Sequence, residues 1–186
     1  MYKFCKTDQS VQRQRELEKG LLNMMEHHCF DEISVSDLCD RLGIPRKSFY
    51  RYFSSKEGAL YALFDHTLME FYDTGSLEGL RGNTPVEDLK RLFAFWKNNK
   101  KLLDAVMRSN LAGVLIERAV ALAKQEELMP GYVRDWEDML KDVAMSFAVC
   151  GLMSMVLQWH SEGYKIPAER MAQTAVNMLS KPLIPN

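Results

Sequence analysis

The chain has 186 residues, room for one large domain or two small ones, and its 47% hydrophobic content excludes a disordered chain. A formal net charge of -1 means that any nucleic-acid site must be local and not a property of the whole surface. The N-terminal stretch has no apolar secretion core, and the longest uncharged run, Val143 to His160, falls short of the ~20 apolar residues of a membrane span. That run is expected to be a buried helix and the protein to be cytoplasmic.

Helical periodicity dominates, with no useful β-alternation and no hairpin turn. The first helix is expected over about Ser10–His28, with Leu17, Leu21, Met24, Met25 and His28 on one face and Gly20 beside it, open to close approach. Ser34 and Asp37 have capping-box spacing, Val35, Leu38, Cys39 and Leu42 form a stripe, and Gly43 supplies a left-handed stop. A second short helix is expected from Pro45, as first helical residue, to Phe53. Two short helices joined by a tight Gly-containing turn make a helix-turn-helix unit.

Ser54 and Glu57 restart the chain as a long helix towards Asp73, and the glycine-rich "DTGSLEGLRGN" is a candidate joint. Thr84, Pro85 and Glu87 start another helix strongly. Further helices are expected at about Lys100–Ser109, Leu111–Glu127, Tyr132–Ser161 and Pro167–Ser180. The fold class is therefore all-α with about nine helices, in two domains at 1–56 and 57–186.

The stretch "RLGIPRKSFYRYFSSKEG", from Arg41 to Gly58, gathers five basic and four aromatic residues with no acid before Glu57. On its helix Phe49 and Phe53 share a packing face, while Arg46, Lys47, Tyr50 and Arg51 lie opposite and Ser48 lies near the edge. DNA binding needs these residue types. The major groove admits one helix, whose first residues reach base edges. Arg, Lys and Ser pair with bases, and hydroxyls and cations hold phosphates. Arg46, Lys47 and Ser48 are the expected base readers. Ser34, Ser36 and Lys56 are the expected phosphate contacts.

"ISVSDLCDRLGIPRKSFYRYFSSKEGALYALF" resembles the N-terminal domain of the TetR/AcrR family of transcriptional regulators. Ser34, Val35, Leu38, Gly43, Ile44, Tyr50, Phe53, Lys56, Glu57 and Leu60 match its pattern without a gap. Pro45 departs from it, standing where a Ser or Thr usually caps the reading helix. The resemblance implies that Tyr50 and Lys56, with Tyr52 as a third, anchor phosphates, in a regulator that binds a palindromic operator in double-stranded DNA as a repressor released by a small apolar or amphipathic effector. The alternative is an activator or coactivator working with a second protein.

The end of the chain, "GLMSMVLQWHSEGYKIPAERMAQTAVNML", resembles the family's last two helices, which form its dimer interface. Val143 to Leu157 is apolar on all sides and needs covering all round, which suits a two-fold four-helix bundle between two subunits. Met153, Leu157, Met171, Ala175, Met178 and Leu179 are the expected homodimer contacts. Phe93, Trp96, Met107, Trp136, Met139 and Phe147 are the candidate effector-pocket residues, a pocket that only the resemblance implies.

Other chemistry finds no support. Cys5, Cys29, Cys39 and Cys150 form no C-x-x-C pair and are expected to be reduced thiols. His27, His28 and Cys29 are helix neighbours that diverge, so no metal site and no cofactor is expected. There is no G-x-S-x-G, no phosphate-cradling glycine loop and no H-E-x-x-H, and Asp65-His66 are adjacent, so no catalytic residues and no enzyme activity are expected.

Overall fold

The computed structural model describes residues 1–73, 84–124 and 137–180, without the side chains of 72 and 73. Among the described residues the chain is all-α, with nine α-helices. They are α1 (Asp8–Met25), α2 (Val35–Leu42), α3 (Arg46–Tyr50), α4 (Lys56–Asp73), α5 (Pro85–Asn98), α6 (Lys100–Arg108), α7 (Ala112–Ala123), α8 (Asp138–Ser161) and α9 (Ala168–Ser180). One 3-10 turn, Phe30–Glu32, lies between α1 and α2 and was not anticipated from periodicity. The glycine-rich joint over 74–83, the end expected for α7 near Glu127 and the Pro130-Gly131 break lie outside the described residues.

Two compact units emerge. The first takes Met1–Thr67 with Asp104–Leu111, and the second takes Leu68–Leu103 with the described part of Ala112–Asn186.

In the first unit, α1 starts at Asp8, ahead of the expected Ser10, because Thr7 caps it and Ser10 closes the capping box. Leu17, Leu21, Met24 and Met25 are buried as their spacing predicts. His28, expected on that stripe, is exposed, since the helix has already ended at Met25. A Cβ on Gly20 would stand 2.8 Å from Leu42 Cδ1, so this glycine is what lets α2 lie close to α1.

Helix α2 is set by its ends. The Ser34 hydroxyl accepts from the Asp37 amide at 3.1 Å and donates to Asp37 Oδ2 at 2.6 Å. The Ser34 amide also donates to Oδ2, at 3.0 Å. Gly43 ends the helix at φ 63°, where a side chain is strained. The bonds from the Ser34 side chain and amide hold the Asp37 carboxyl below its ordinary value.

Ser34→Ala is expected to lower stability by about 1 kcal/mol near neutral pH, the usual loss of an N-cap. Because the folded-state value of Asp37 is depressed, its share is present above the ordinary carboxylate range and disappears as pH falls through the folded value. Urea midpoints for the two proteins should therefore converge in acid. A gap that stays constant down to acid pH would show that Asp37 plays no part in the cap.

In the second unit, α5 starts with Thr84 as N-cap, Pro85 inside it and Glu87 closing the capping box. The buried face of α5, Phe93 and Trp96, packs inward, and Phe93 meets Trp159 of α8 edge-on at 5.5 Å. Lys90 pairs with Glu169 across α5 and α9 at 2.7 Å. The α8–α9 turn holds Gly163 and Tyr164 both at positive φ, 71° and 59°. Trp159 locks that turn, donating Nε1 to the Ile166 carbonyl at 2.7 Å and packing edge-on against Tyr164 at 4.7 Å.

Helix α8 departs from expectation. The uncharged run lies within a 24-residue helix, which by length and composition alone could cross a membrane. Only 22% of its most apolar window is buried, so it is not covered all round. Met145, Met153, Val156, Leu157 and Trp159 face inward, while Val143 and Phe147 are 62% and 61% exposed. Cys150, Gly151 and Ser154 continue the open face. An evenly apolar helix has no preferred side in its sequence, and packing against α5, α7 and α9 chose one.

Candidate nucleic-acid interface

Helix α3 is five residues long, too short to hold itself together in water. Pro45 lies outside it as N-cap, at φ -65° and ψ 141°, and makes no side-chain cap bond. The expected start at Pro45 and end at Phe53 were both generous. An extended ψ at Pro45 cannot begin a helix, and Tyr52 and Phe53 turn inward instead of continuing it. The anchor is Phe49, fully buried, with ring centroids 5.2 Å from Phe53 and 5.4 Å from Tyr50.

Outside that anchor the basic residues stand free. Arg46, Lys47 and Arg51 are exposed, and among the described residues none of them forms an ion pair. Arg46 still acts through space, adding to the low proton affinity of Asp37. Ser48 is half-buried at the edge of the helix, and Tyr50 is 52% exposed with its ring edge braced on Phe49. Arg46, Lys47 and Ser48, the expected base readers, thus share one short helix with Tyr50.

The other expected phosphate contacts differ in setting. The Ser34 hydroxyl is already engaged in its cap, and Ser36 is half-buried in the first turn of α2. Tyr52 is buried beside Phe53. Lys56 opens α4 and donates Nζ to the Phe30 carbonyl at 2.7 Å and the Asp31 carbonyl at 3.4 Å. Its ammonium also lies 4.3 Å from the Phe30 ring centroid. Lys56 therefore ties α4 to the turn after α1, a role that residue type and spacing could not reveal. Arg108 closes the same turn, donating to the Met25 and Glu26 carbonyls at 2.7 and 2.6 Å.

Of the residues expected around an effector, Phe93 and Trp96 are buried in the second unit, and Met139 and Phe147 are exposed on α8. Met107 is exposed in the first unit, and Trp136 lies outside the described residues. Of those expected at the dimer interface, Met153, Leu157, Met171 and Ala175 are buried within the chain, whereas Met178 and Leu179 are exposed on α9. Among the described residues no His, Cys, Asp and Glu group has the clustering to hold a metal.

Residues 19–63, from the end of α1 through α2 and α3 into the first part of α4, match the bacterial regulatory proteins of the tetR family, and residues 83–181 match a transcriptional regulator C-terminal region. The chain belongs to the TetR family of transcriptional regulators. As in that family, it pairs a DNA-binding helix-turn-helix with a helical C-terminal domain. The HTH-type dhaKLM operon transcriptional activator DhaS of Lactococcus lactis subsp. lactis (strain IL1403) is 29% identical over 73 residues. That stretch spans only 39% of either protein.

Three solved TetR-like structures share the fold. The dihydroxyacetone kinase operon activator DhaS superposes with a TM-score of 0.58 at 19% identity, covering 91% of this chain and 95% of its own. The fatty acid degradation regulator FadR from Bacillus halodurans gives 0.58 at 17%, covering 97% and 98%. The TetR family repressor AlkX from Dietzia sp. strain DQ12-45-1b, implicated in biodegradation of n-alkanes, gives 0.55 at 18%, covering 90% and 93%.

Proposed function

We propose that this TetR-family protein is a cytoplasmic homodimer that sets one α3 from each subunit into the major groove of a palindromic operator. Arg46, Lys47 and Ser48 read base edges, while Tyr50, with Tyr52, Ser34, Ser36 and Lys56 nearby, steadies the helix on phosphates. The observation that carries this reading is the free cationic face of α3. Three exposed cations with no ion-pair partner among the described residues, next to a half-exposed tyrosine on a buried phenylalanine, make an anion-facing surface.

The two subunits meet through the open faces of α8 and α9. Val143, Phe147, Cys150, Gly151 and Ser154 form one stripe, and a Cβ on Gly151 would meet nothing within 4 Å among the described residues. In a two-fold antiparallel pairing, the large Phe147 of one copy falls opposite the small Ser154 of the other, with Cys150 and Gly151 at the axis. Met178 and Leu179 extend this surface, while Met153, Leu157, Met171 and Ala175 support it from beneath.

The protein acts as a repressor, released by a small apolar or amphipathic effector that enters the second unit beside Phe93 and Trp96. A second reading, an activator working with another protein, draws on the similarity to the activator DhaS. A reporter from the regulated promoter separates the two. Deletion of the gene raises output under the first reading and lowers it under the second.

The DNA interface itself is tested by titrating labelled duplex against salt. Log affinity should fall with log salt by about 0.9 per phosphate-bound cation. A flat line would remove the claim. Arg46→Ala or Lys47→Ala should cost about 1–3 kcal/mol on the preferred sequence and less on others, relaxing specificity. Tyr50→Phe should weaken all sequences alike at an unchanged slope, because the lost hydroxyl is neutral.

A further inference from the structure

The residues ahead of α1 are built into the first unit. Tyr2 pairs with Phe53 in an antiparallel bridge. The Lys3 amide donates to the Tyr52 carbonyl at 2.9 Å, and the Ser54 amide and hydroxyl donate to the Met1 carbonyl at 3.1 and 2.7 Å. The Tyr2 hydroxyl donates to Oδ2 of buried Asp65 on α4 at 2.7 Å, and its ring meets His66 edge-on at 5.6 Å. Buried Gln14 on α1 donates Nε2 to the Lys3 carbonyl at 3.2 Å. Contact is so close that a Cβ on Gly58 would stand 2.5 Å from the Met1 oxygen.

The bridge to Phe53 and the bonds to Tyr52 and Ser54 sit at the corner between α3 and α4, while the bonds to Asp65 and Gln14 anchor the same residues on α4 and α1. That corner needs outside support. Helix α3 is five residues long and has no side-chain cap, and Tyr52 to Ser54 belong to no helix. Phosphate contacts set the orientation of a reading helix, so a loose corner would lose them. We propose that Met1–Lys3 is a brace that fixes the α3–α4 corner for DNA binding, with Tyr2 as its positioning residue. The brace acts through Tyr50 and Tyr52 and so rests on the DNA interface proposed above. It also gives Gly58 a purpose: only a residue without Cβ leaves room for the Met1 carbonyl.

The test uses the full chain, a fluorescein-labelled duplex of mixed sequence, and a salt series. Tyr2→Ala should weaken binding about fivefold to tenfold, the worth of one or two lost hydrogen bonds. The log–log slope should not change, because no cation has left the DNA. Gly58→Ala attacks the same brace from the other side. Alanine suits a helix better than glycine, so α4 is not weakened by its own propensity, yet the added methyl must expel Met1.

Gly58→Ala should therefore lose affinity by a similar factor, and adding Tyr2→Ala to it should cost less than about twofold more. Tyr2→Phe, which keeps the ring on His66, serves if Tyr2→Ala does not fold. It should lose about twofold to fourfold.

Equal binding by wild type and both single variants would overturn the brace. So would a slope that flattens in the Tyr2 variant, since the arm would then touch phosphate itself. Fully additive losses would also overturn it, because the two residues would then act separately. A wild-type chain that ignores the duplex removes the interface as well as the brace, which separates the two failures.

Discussion

Replacing Phe147 with glutamate is expected to split the proposed dimer and leave each subunit folded. Phe147 is 61% exposed in the single chain, so the subunit has little to lose. Exposed substitutions of this kind stay within about 0.5 kcal/mol. In the two-fold pairing proposed for α8, however, each Phe147 lies against the partner's Ser154 and Gly151. Losing one buried phenylalanine costs about 1.5–3 kcal/mol, and symmetry doubles it. Two buried carboxylates without partners add to the loss.

The dimer dissociation constant should rise by about a thousandfold or more. Sedimentation at micromolar protein should show a monomer, with the helical circular dichroism unchanged. DNA affinity should fall too, because half-sites held by separate subunits lose the effective concentration of a linked pair. A variant that sediments as a dimer would move the interface elsewhere. A short bis-maleimide offers a positive control. Cys150 is exposed and would fall at the axis of the proposed pairing, so it should cross-link copies of the wild type but not of the variant.

This interface shows where sequence reasoning stopped. That α8 is apolar was legible from its composition, but which of its sides the subunit leaves open was not. Period and composition identify an apolar helix; only the helices packed on it decide which face remains open. The same limit applied to Met153, Leu157, Met171 and Ala175. They are apolar residues on the last two helices, and the chain buries them itself.

Local chemistry was read more successfully. Ser34 with Asp37, Thr84 with Glu87, and Gly43 at φ 63° are capping devices complete within a few residues, and the helix ends follow them. Long-range contacts left no trace. The partner of Tyr2 is Phe53, and Lys56 is held by the Phe30 carbonyl, pairs far apart in sequence and in no periodic register. A lysine on the first turn of a helix suits a phosphate and a carbonyl cage equally well. Composition cannot distinguish those uses.

Phe49→Ala and Tyr50→Ala, one residue apart, should fail in opposite ways. Phe49 is fully buried against Phe53, and it is the side chain that holds α3 to the first unit. Removing a buried phenylalanine costs about 3–5 kcal/mol, through lost transfer energy and the cavity left behind. A domain stable by about 5–15 kcal/mol would lose much of its margin. Helix α3, with five residues and no side-chain cap, has no reserve of its own.

The urea midpoint of Phe49→Ala should therefore drop sharply, and DNA binding should fall with the folded fraction. Tyr50 projects from the same helix at 52% exposure, so Tyr50→Ala should keep its midpoint within about 0.5 kcal/mol. Its DNA affinity should still fall on every sequence, because the proposed phosphate contact would be gone. The pair is decided by plotting affinity against stability. Phe49→Ala should lie on the line set by its folded fraction, and Tyr50→Ala well below it. If Phe49→Ala lost binding at full stability, Phe49 would be part of the contact surface and α3 would present a different face to the groove. If Tyr50→Ala bound DNA as the wild type does, the exposed half of its ring would have another purpose and the grip on phosphate would pass to the cations alone.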